Sequence, residues 1–114
     1  MTVCEVISHC THGAALPGAQ ITTVYDPENA APFAAAVGAR QAASAEEVCA
    51  SPDVDAVIVA SPNFAHIEPV IAAARNGKHV FCEKPIALSY ADCLRMVEAA
   101  RAANVTFMAG HVMN

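Results

Sequence analysis

The chain has 114 residues, of which 55% are hydrophobic and 15% charged, and its formal net charge is −5. This length suits one domain, and six Lys and Arg residues are too few for a nucleic-acid partner. No apolar run approaches the roughly 20 residues that cross a bilayer, and the first residues lack a secretory signal pattern. We therefore expect one cytoplasmic domain over residues 1–114, with neither nucleic acid nor membrane as a partner.

Strand and helix patterns alternate along the chain. Apolar and β-branched runs predict strands at residues 2–7, 20–25, 55–60, 80–82 and 105–109. The segments between them predict helices at residues 28–37, 44–52, 63–76 and 89–104. This alternation predicts an α/β fold with a doubly wound, parallel sheet of the Rossmann-like type.

Two of these helices carry capping signals. Ser44 and Glu47 form a capping box at one start, and Ser89 and Asp92 form the capping pair of the last helix. That last helix carries an apolar stripe at helical spacing, which includes Leu94, Met96, Val97, Ala99 and Ala100. Five cysteines follow no disulfide spacing, which indicates reduced thiols in a reducing compartment.

Lys84 follows an apolar strand directly, between Glu83 and Pro85. Open α/β sheets bind their ligands at the carboxyl ends of strands, and a following proline keeps the lysine out of a regular helix. The pattern therefore favours a lysine that points into a crevice and has a chemical task. A lysine that lies along a loop with its amine in water fits the same three residues equally well.

Several segments together resemble the Gfo/Idh/MocA oxidoreductases, the enzymes related to glucose-fructose oxidoreductase and inositol dehydrogenase. They are residues 44–48, 53–63 and 77–85, with His66 and the pair Gly110-His111. The resemblance implies the N-terminal NAD(P)-binding domain of an oxidoreductase that acts on a sugar, polyol or related alcohol. The family's second domain, which completes the substrate pocket, is expected to be absent. We expect the chain alone to be inactive and to self-associate through exposed apolar surface.

The glycine-rich turn that follows the family's first strand is missing, and residues 1–19 are atypical. Ser8, His9 and Cys10 stand where a glycine's positive φ is needed to bring backbone N–H groups to the cofactor phosphates. This departure supports an alternative function: a catalytically inactive fragment that folds and binds nucleotide weakly or not at all.

Two further classes of function are disfavoured. Cys4, His9, Cys10 and His12 have the ligand types of a zinc site, but the adjacent His9 and Cys10 cannot easily share one tetrahedron, so we predict no metal. A receiver-like regulatory module needs an acidic pair after its first strand, and the first strand here carries only Glu5.

The resemblance assigns cofactor roles near two strand ends. Asp26 is expected to bind the adenosine ribose and to repel a 2′-phosphate, which favours NAD over NADP. An ordinary Asp-Pro turn is the alternative at this position. Ser61, Pro62 and Asn63 are expected to line the cofactor crevice, and Asn63 also suits a helix cap.

The remaining site residues lie near the nicotinamide in this interpretation. Lys84 is the expected catalytic residue, which hydrogen-bonds the reacting oxygen beside the cofactor. Glu83 is expected to hold Lys84 or to contact the nicotinamide ribose. His66, one turn into its helix, is expected to face the same cleft, although a structural histidine is the commoner case. His111 matches a family position near the active site.

Overall fold

The structure is a computed structural model that describes residues 2–6, 20–28, 30–60, 66–83 and 87–110. Strands and helices alternate over most of this length, as the sequence pattern predicted. In chain order the elements are β1 (Thr2–Val6), β2 (Gln20–Tyr25), α1 (Ala30–Val37), β3 (Arg40–Gln41), α2 (Ala45–Ala50), β4 (Ala56–Val59), α3 (Ile67–Arg75), β5 (His79–Cys82), α4 (Tyr90–Ala103) and β6 (Phe107–Ala109).

The six strands of the described part form one sheet in the order β3-β2-β1-β4-β5-β6. Every neighbouring pair is parallel. This order grows outward in both directions from β1 and β4, which is the arrangement of the dinucleotide-binding Rossmann fold. The predicted α/β fold with a doubly wound, parallel sheet is therefore confirmed.

A bulge in β2 decides which of its side chains meet which helices. The pairing with β1 shifts between Val3↔Ile21 and Cys4↔Thr23, so β2 carries one extra residue at Thr22. In a regular strand Ile21 and Val24 would lie on opposite faces, but the extra residue brings them to the same face. Both are buried in one cluster with Ala30 and Ala34 of α1, as a result of the bulge.

The larger core lies on the opposite face of the sheet. Alternate residues of β4 and β5 point into it, as a period of two requires. Helices α2, α3 and α4 cover this face. The buried side chains of the cluster include Val57, Val59, Val80 and Cys82 from the strands and Val48, Cys49, Val70, Ala73 and Met96 from the helices.

The two predicted serine caps are present, although the Glu47 carboxylate accepts from the Ala43 N–H and not from the Ser44 N–H of a capping box. Ser44 Oγ accepts a hydrogen bond from the Glu47 N–H at 3.1 Å, and Ser89 Oγ accepts one from the Asp92 N–H at 3.1 Å. Gly77 ends α3 with a φ of 74°, a left-handed conformation that glycine adopts without strain. Among the described residues, no helix is long and apolar enough to cross a membrane.

Three sequence predictions need correction. Strand β3 was not predicted, because its two residues are exposed and carry no apolar pattern. Helix α3 begins at Ile67, so His66 is the residue before the helix and not one turn into it. In the predicted apolar stripe of α4, Met96 and Ala100 are buried, whereas Leu94 is 41% exposed because it lies off the face that packs on the core.

Candidate functional site

The carboxyl ends of five strands lie level with one another. The register pairs Val6 with both Tyr25 and Val59, Val59 with Cys82, and Cys82 with Ala109. The residues that directly follow these strands therefore lie in one row along this edge of the sheet. In the described part of the chain this row consists of Asp26, Ala60, Glu83 and Gly110.

Asp26 occupies the β2 end of this row. Its Oδ1 accepts a hydrogen bond from the Glu28 N–H at 2.8 Å, so Asp26, Pro27 and Glu28 form an Asx turn. The bond fixes the direction of a half-buried carboxylate beside the point where the strand order reverses. The ribose-binding role of Asp26 and the ordinary Asp-Pro turn are therefore compatible, because the turn itself holds the carboxylate at the edge of the sheet.

Glu83 occupies the β5 end of the row. Its N–H donates to the Val59 carbonyl at 2.9 Å, which continues the ladder one residue beyond the strand. The half-buried carboxylate leans toward β6, where Oε2 lies 3.0 Å from the point that a Cβ on Gly110 would occupy. The Gly110 N–H donates to the Cys82 carbonyl at 2.6 Å. Glu83 is thus held between β4 and β6.

The side chains of His66 and Cys82 contact each other next to Glu83. The His66 side chain is almost fully buried, with 1% exposure, and its Nδ1 lies 3.3 Å from Cys82 Sγ. Cys82 Sγ in turn lies 3.5 Å from the carbonyl oxygen of Glu83. Burial raises the pKa of the Cys82 thiol to about 12, and the Glu83 carboxylate acts in the same direction. Because its ring is buried, His66 fits the structural alternative better than direct contact with a ligand.

Several predicted site residues lie outside the described residues. They are Ser61, Pro62, Asn63, Lys84 and His111, together with residues 7–19, where the glycine turn was missing. Their roles stay predictions. Within the described ranges, no group of three or more His, Cys, Asp or Glu side chains could hold a metal ion.

The cavity of about 530 Å³ in the described part lies elsewhere. It opens between α3 and α4 and is lined by Ile71 and Arg75 on one side and by Arg95, Glu98 and alanines on the other. These residues belong to the second half of α3 and to the middle and later turns of α4, whereas Asp26 and Glu83 follow the carboxyl ends of strands β2 and β5. The cavity and the row are therefore separate features.

Residues 7–111 match the model of the Gfo/Idh/MocA family, described as an oxidoreductase family with an NAD-binding Rossmann fold. The chain therefore belongs to this family of oxidoreductases, and the family resemblance of the sequence is confirmed. The match covers the part of the family that binds the dinucleotide.

Two relatives and one solved structure are close to this chain. A 2,7-anhydro-N-acetylneuraminate hydratase of Escherichia coli is 58% identical over 96 residues, which is 84% of this chain and 26% of that protein. An inositol 2-dehydrogenase of Saccharopolyspora erythraea is 51% identical over 87 residues, 75% of this chain and 26% of that protein. A biliverdin reductase from Synechocystis, solved with biliverdin and NADP⁺, superimposes with a TM-score of 0.87 at 26% identity, over 96% of this chain and 37% of that one.

The chain thus spans about a quarter of the length of the curated relatives that it matches.

The sequence analysis did not single out two residues that lie at or beside the row, Cys82 and Gly110. The sequence analysis included Cys82 only as one of five cysteines and within the segment 77–85, and Gly110 only as part of the family resemblance. An apolar strand that ends in Cys-Glu-Lys-Pro was the signal for the first, and a glycine directly after the last strand was the signal for the second.

Proposed function

We propose that this chain binds a nicotinamide dinucleotide across the carboxyl edge of its sheet, as the cofactor domain of an oxidoreductase. The observation that carries the proposal is the row that joins Asp26 to Glu83 across the reversal of strand order. Three strand spacings, roughly 14 Å, separate β2 from β5. A dinucleotide laid along this row would have its adenosine ribose at Asp26 and its nicotinamide end at Glu83, the residue that precedes Lys84 in the sequence.

The residues of the row fit such a cofactor. The Asp26 carboxylate is held by the Glu28 N–H and can accept hydrogen bonds from ribose hydroxyls. Ser61, Pro62 and Asn63 follow β4 and would line the middle of the crevice. When bound, the nicotinamide ring supplies a hydride acceptor. Lys84 would donate a hydrogen bond to the substrate oxygen, and Glu83 would hold Lys84 or the nearby ribose.

The proposal includes a substrate class and a compartment. A sugar, polyol or related alcohol is supported by the relatives, whose names specify an anhydro-neuraminate and an inositol. The proposed substrate class applies to a polypeptide of the relatives' full length. Cytoplasmic residence is supported by the reduced cysteines among the described residues, Cys49, Cys82 and Cys93.

NAD is proposed as the preferred cofactor, with NADP disfavoured, because the Asp26 carboxylate would repel a 2′-phosphate. The biliverdin reductase structure with NADP⁺ shows that similar folds also take the phosphorylated cofactor. The preference therefore depends on Asp26 and not on the fold, and it can be tested at that residue alone.

The test is a titration of the purified chain with NADH and NADPH, followed by nicotinamide fluorescence. The chain has no tryptophan, so the signal comes from the cofactor. We expect saturable NADH binding that is tighter than NADPH binding. Asp26→Asn keeps an acceptor for the Glu28 N–H but loses the charge, and should weaken NADH binding by about tenfold and NADPH binding far less.

Glu28→Gln is the matched control, because it removes one exposed negative charge two residues away and leaves the backbone donor of the turn in place. It should leave both affinities within about twofold. Equal losses for both cofactors in Asp26→Asn would refute the ribose role. A folded chain that binds neither cofactor would support the alternative of an inactive fragment.

A further inference from the structure

The hydrogen bonds of the sheet control the peptide group between Cys82 and Glu83. The Gly110 N–H donates to the Cys82 carbonyl at 2.6 Å, and the Glu83 N–H donates to the Val59 carbonyl at 2.9 Å. The carbonyl oxygen of Glu83 takes no part in these two bonds. It is 3.5 Å from Cys82 Sγ, so the thiol of the preceding residue reaches past the end of the ladder.

Only one placement of the protons makes both contacts of Cys82 Sγ hydrogen bonds. The buried thiol stays protonated at neutral pH, because its pKa is raised to about 12. A thiol has a single proton to donate. If Sγ–H donates to the Glu83 carbonyl, the 3.3 Å contact is a hydrogen bond only when His66 Nδ1–H donates to Sγ. The geometry thus forms a relay from imidazole to thiol to carbonyl.

We propose that His66 is a positioning residue, which acts through the Cys82 thiol to fix the carbonyl group of Glu83, the residue before Lys84 in the sequence. The inference rests on the proposed function, because that function makes these two residues the nicotinamide end of the site. It gives His66 a task that needs no contact with the cofactor. The burial of His66 and its position directly before α3 support this role, since α3 packs on β5 and brings the ring to the strand end.

The first experiment uses the ligand-free chain and nuclear magnetic resonance. The ¹⁵N shifts of His66 should show the proton on Nδ1, and a proton on Nε2 alone would overturn the relay. Cys82→Ala removes the thiol and should move the Glu83 carbonyl ¹³C signal upfield, as a lost hydrogen bond does. Cys82→Ser keeps a group that can accept and donate, and should restore the signal.

Cys49→Ala is the matched control. Cys49 is equally buried in the same core, and its Sγ donates to the Pro69 carbonyl at 3.6 Å, away from the end of β5. The Cys49→Ala variant loses the same side-chain volume as Cys82→Ala and a similar hydrogen bond. In this variant the ¹³C signal of the Glu83 carbonyl should stay at the wild-type position. An equal upfield movement in both variants would mean that loss of core packing, and not the relay, moves the carbonyl group.

The second experiment compares NADH with ADP-ribose, which lacks the nicotinamide. Cys82→Ala and His66→Phe should weaken NADH binding by about three- to tenfold and change ADP-ribose binding by less than about twofold. Cys82→Ser and His66→Asn, which retains a donor near the place of Nδ1, should recover most of the NADH affinity. A parallel loss for both ligands would assign His66 to folding alone.

The two experiments distinguish a failure of this inference from a failure of the proposed function. If the wild-type chain binds neither ligand, the proposed function fails, and the ¹⁵N and ¹³C measurements still decide the relay. If the wild type binds both and the variants lose only NADH affinity, the positioning role is supported. Unchanged NADH affinity in folded Cys82→Ala and His66→Phe would overturn it.

Discussion

Gly110 matters because of the side chain that it lacks. A Cβ at this position would lie 3.0 Å from Glu83 Oε2 and 3.0 Å from Cζ of Phe81. Both distances are shorter than ordinary contacts between carbon and its neighbours. The missing Cβ therefore allows the Glu83 carboxylate and the Phe81 ring to approach the Gly110 backbone closely, unlike Gly77, where the positive φ is the reason for glycine.

Gly110→Ala should displace the Glu83 carboxylate and weaken NADH binding by several-fold, because the added methyl group occupies the space that the carboxylate needs. The free energy of unfolding should fall by about 1 kcal/mol, since both neighbours are side chains that can shift. Gly77→Ala is the control: it meets nothing within 4 Å and should lose about 1–2 kcal/mol through its φ alone. Titration and urea unfolding separate the two effects. A normal NADH affinity in Gly110→Ala would show that the Glu83 carboxylate is not part of the binding surface.

The sequence predicted where single residues stand in the chain better than which side chains touch. Asp26 and Glu83 follow apolar strands, and the structure places both at carboxyl strand ends, as that pattern indicated. The contact of His66 with Cys82 spans 16 positions of sequence and depends on where α3 begins. No local pattern carries that information, since it comes from the packing of a helix on a strand.

Helix α2 is tied to β3 by a polar network around Arg40. Its guanidinium donates to Glu47 Oε1 at 3.0 Å near the start of the helix and to Ser51 Oγ at 2.9 Å at its end. Glu47 Oε2 also accepts from the Ala43 N–H at 2.8 Å. The Ala43 bond, followed by the Arg40 contact, holds the pKa of Glu47 below its usual range. The hydrogen bond from Ser51 lowers the pKa of Asp53 likewise.

Acid should weaken this network. A carboxyl group with a lowered folded pKa stabilises the fold fully above its unfolded pKa, about 4.3 for Glu, and that contribution is lost as the pH falls through the folded value. Glu47→Gln should therefore lower the urea midpoint at pH 7, and its effect should disappear as the pH falls through the folded pKa of Glu47. Glu46→Gln, on the same first turn but outside the network, should change the midpoint less at pH 7. Equal effects of the two variants at pH 7 would assign the stabilisation to the helix dipole.

The elements that the sequence predicted are those with a local physical signal. Apolar runs gave β2, β4 and β5, and side-chain caps gave the starts of α2 and α4. Strand β3 lacks such a signal, because it exists only through its pairing with β2, of Thr23 with Arg40 and Val24 with Gln41. The bulge at Thr22 is also invisible in the sequence, since it depends on how β1 and β2 align.

At the scale of the whole molecule, large apolar side chains remain exposed near the start of α4. Leu88 is 66% exposed, Tyr90 79% and Leu94 41%. Tyr90 and Leu94 are four residues apart on the helix and so lie on one face. We name these three side chains the α4 patch, and such a patch favours association with another apolar surface.

We expect the α4 patch to join two copies of this chain. The sedimentation coefficient of the wild type should rise with protein concentration, and the double variant Tyr90→Glu, Leu94→Gln should weaken this association by about tenfold, since a central aromatic side chain carries much of an apolar contact. The helix tolerates both changes, because the positions are exposed and a glutamate suits the first turn. Met108→Gln is the control, because Met108 is 56% exposed on β6, outside the patch. If Met108→Gln abolishes association and the double variant does not, the contact lies on the sheet face of β6 and the α4 patch is not the interface.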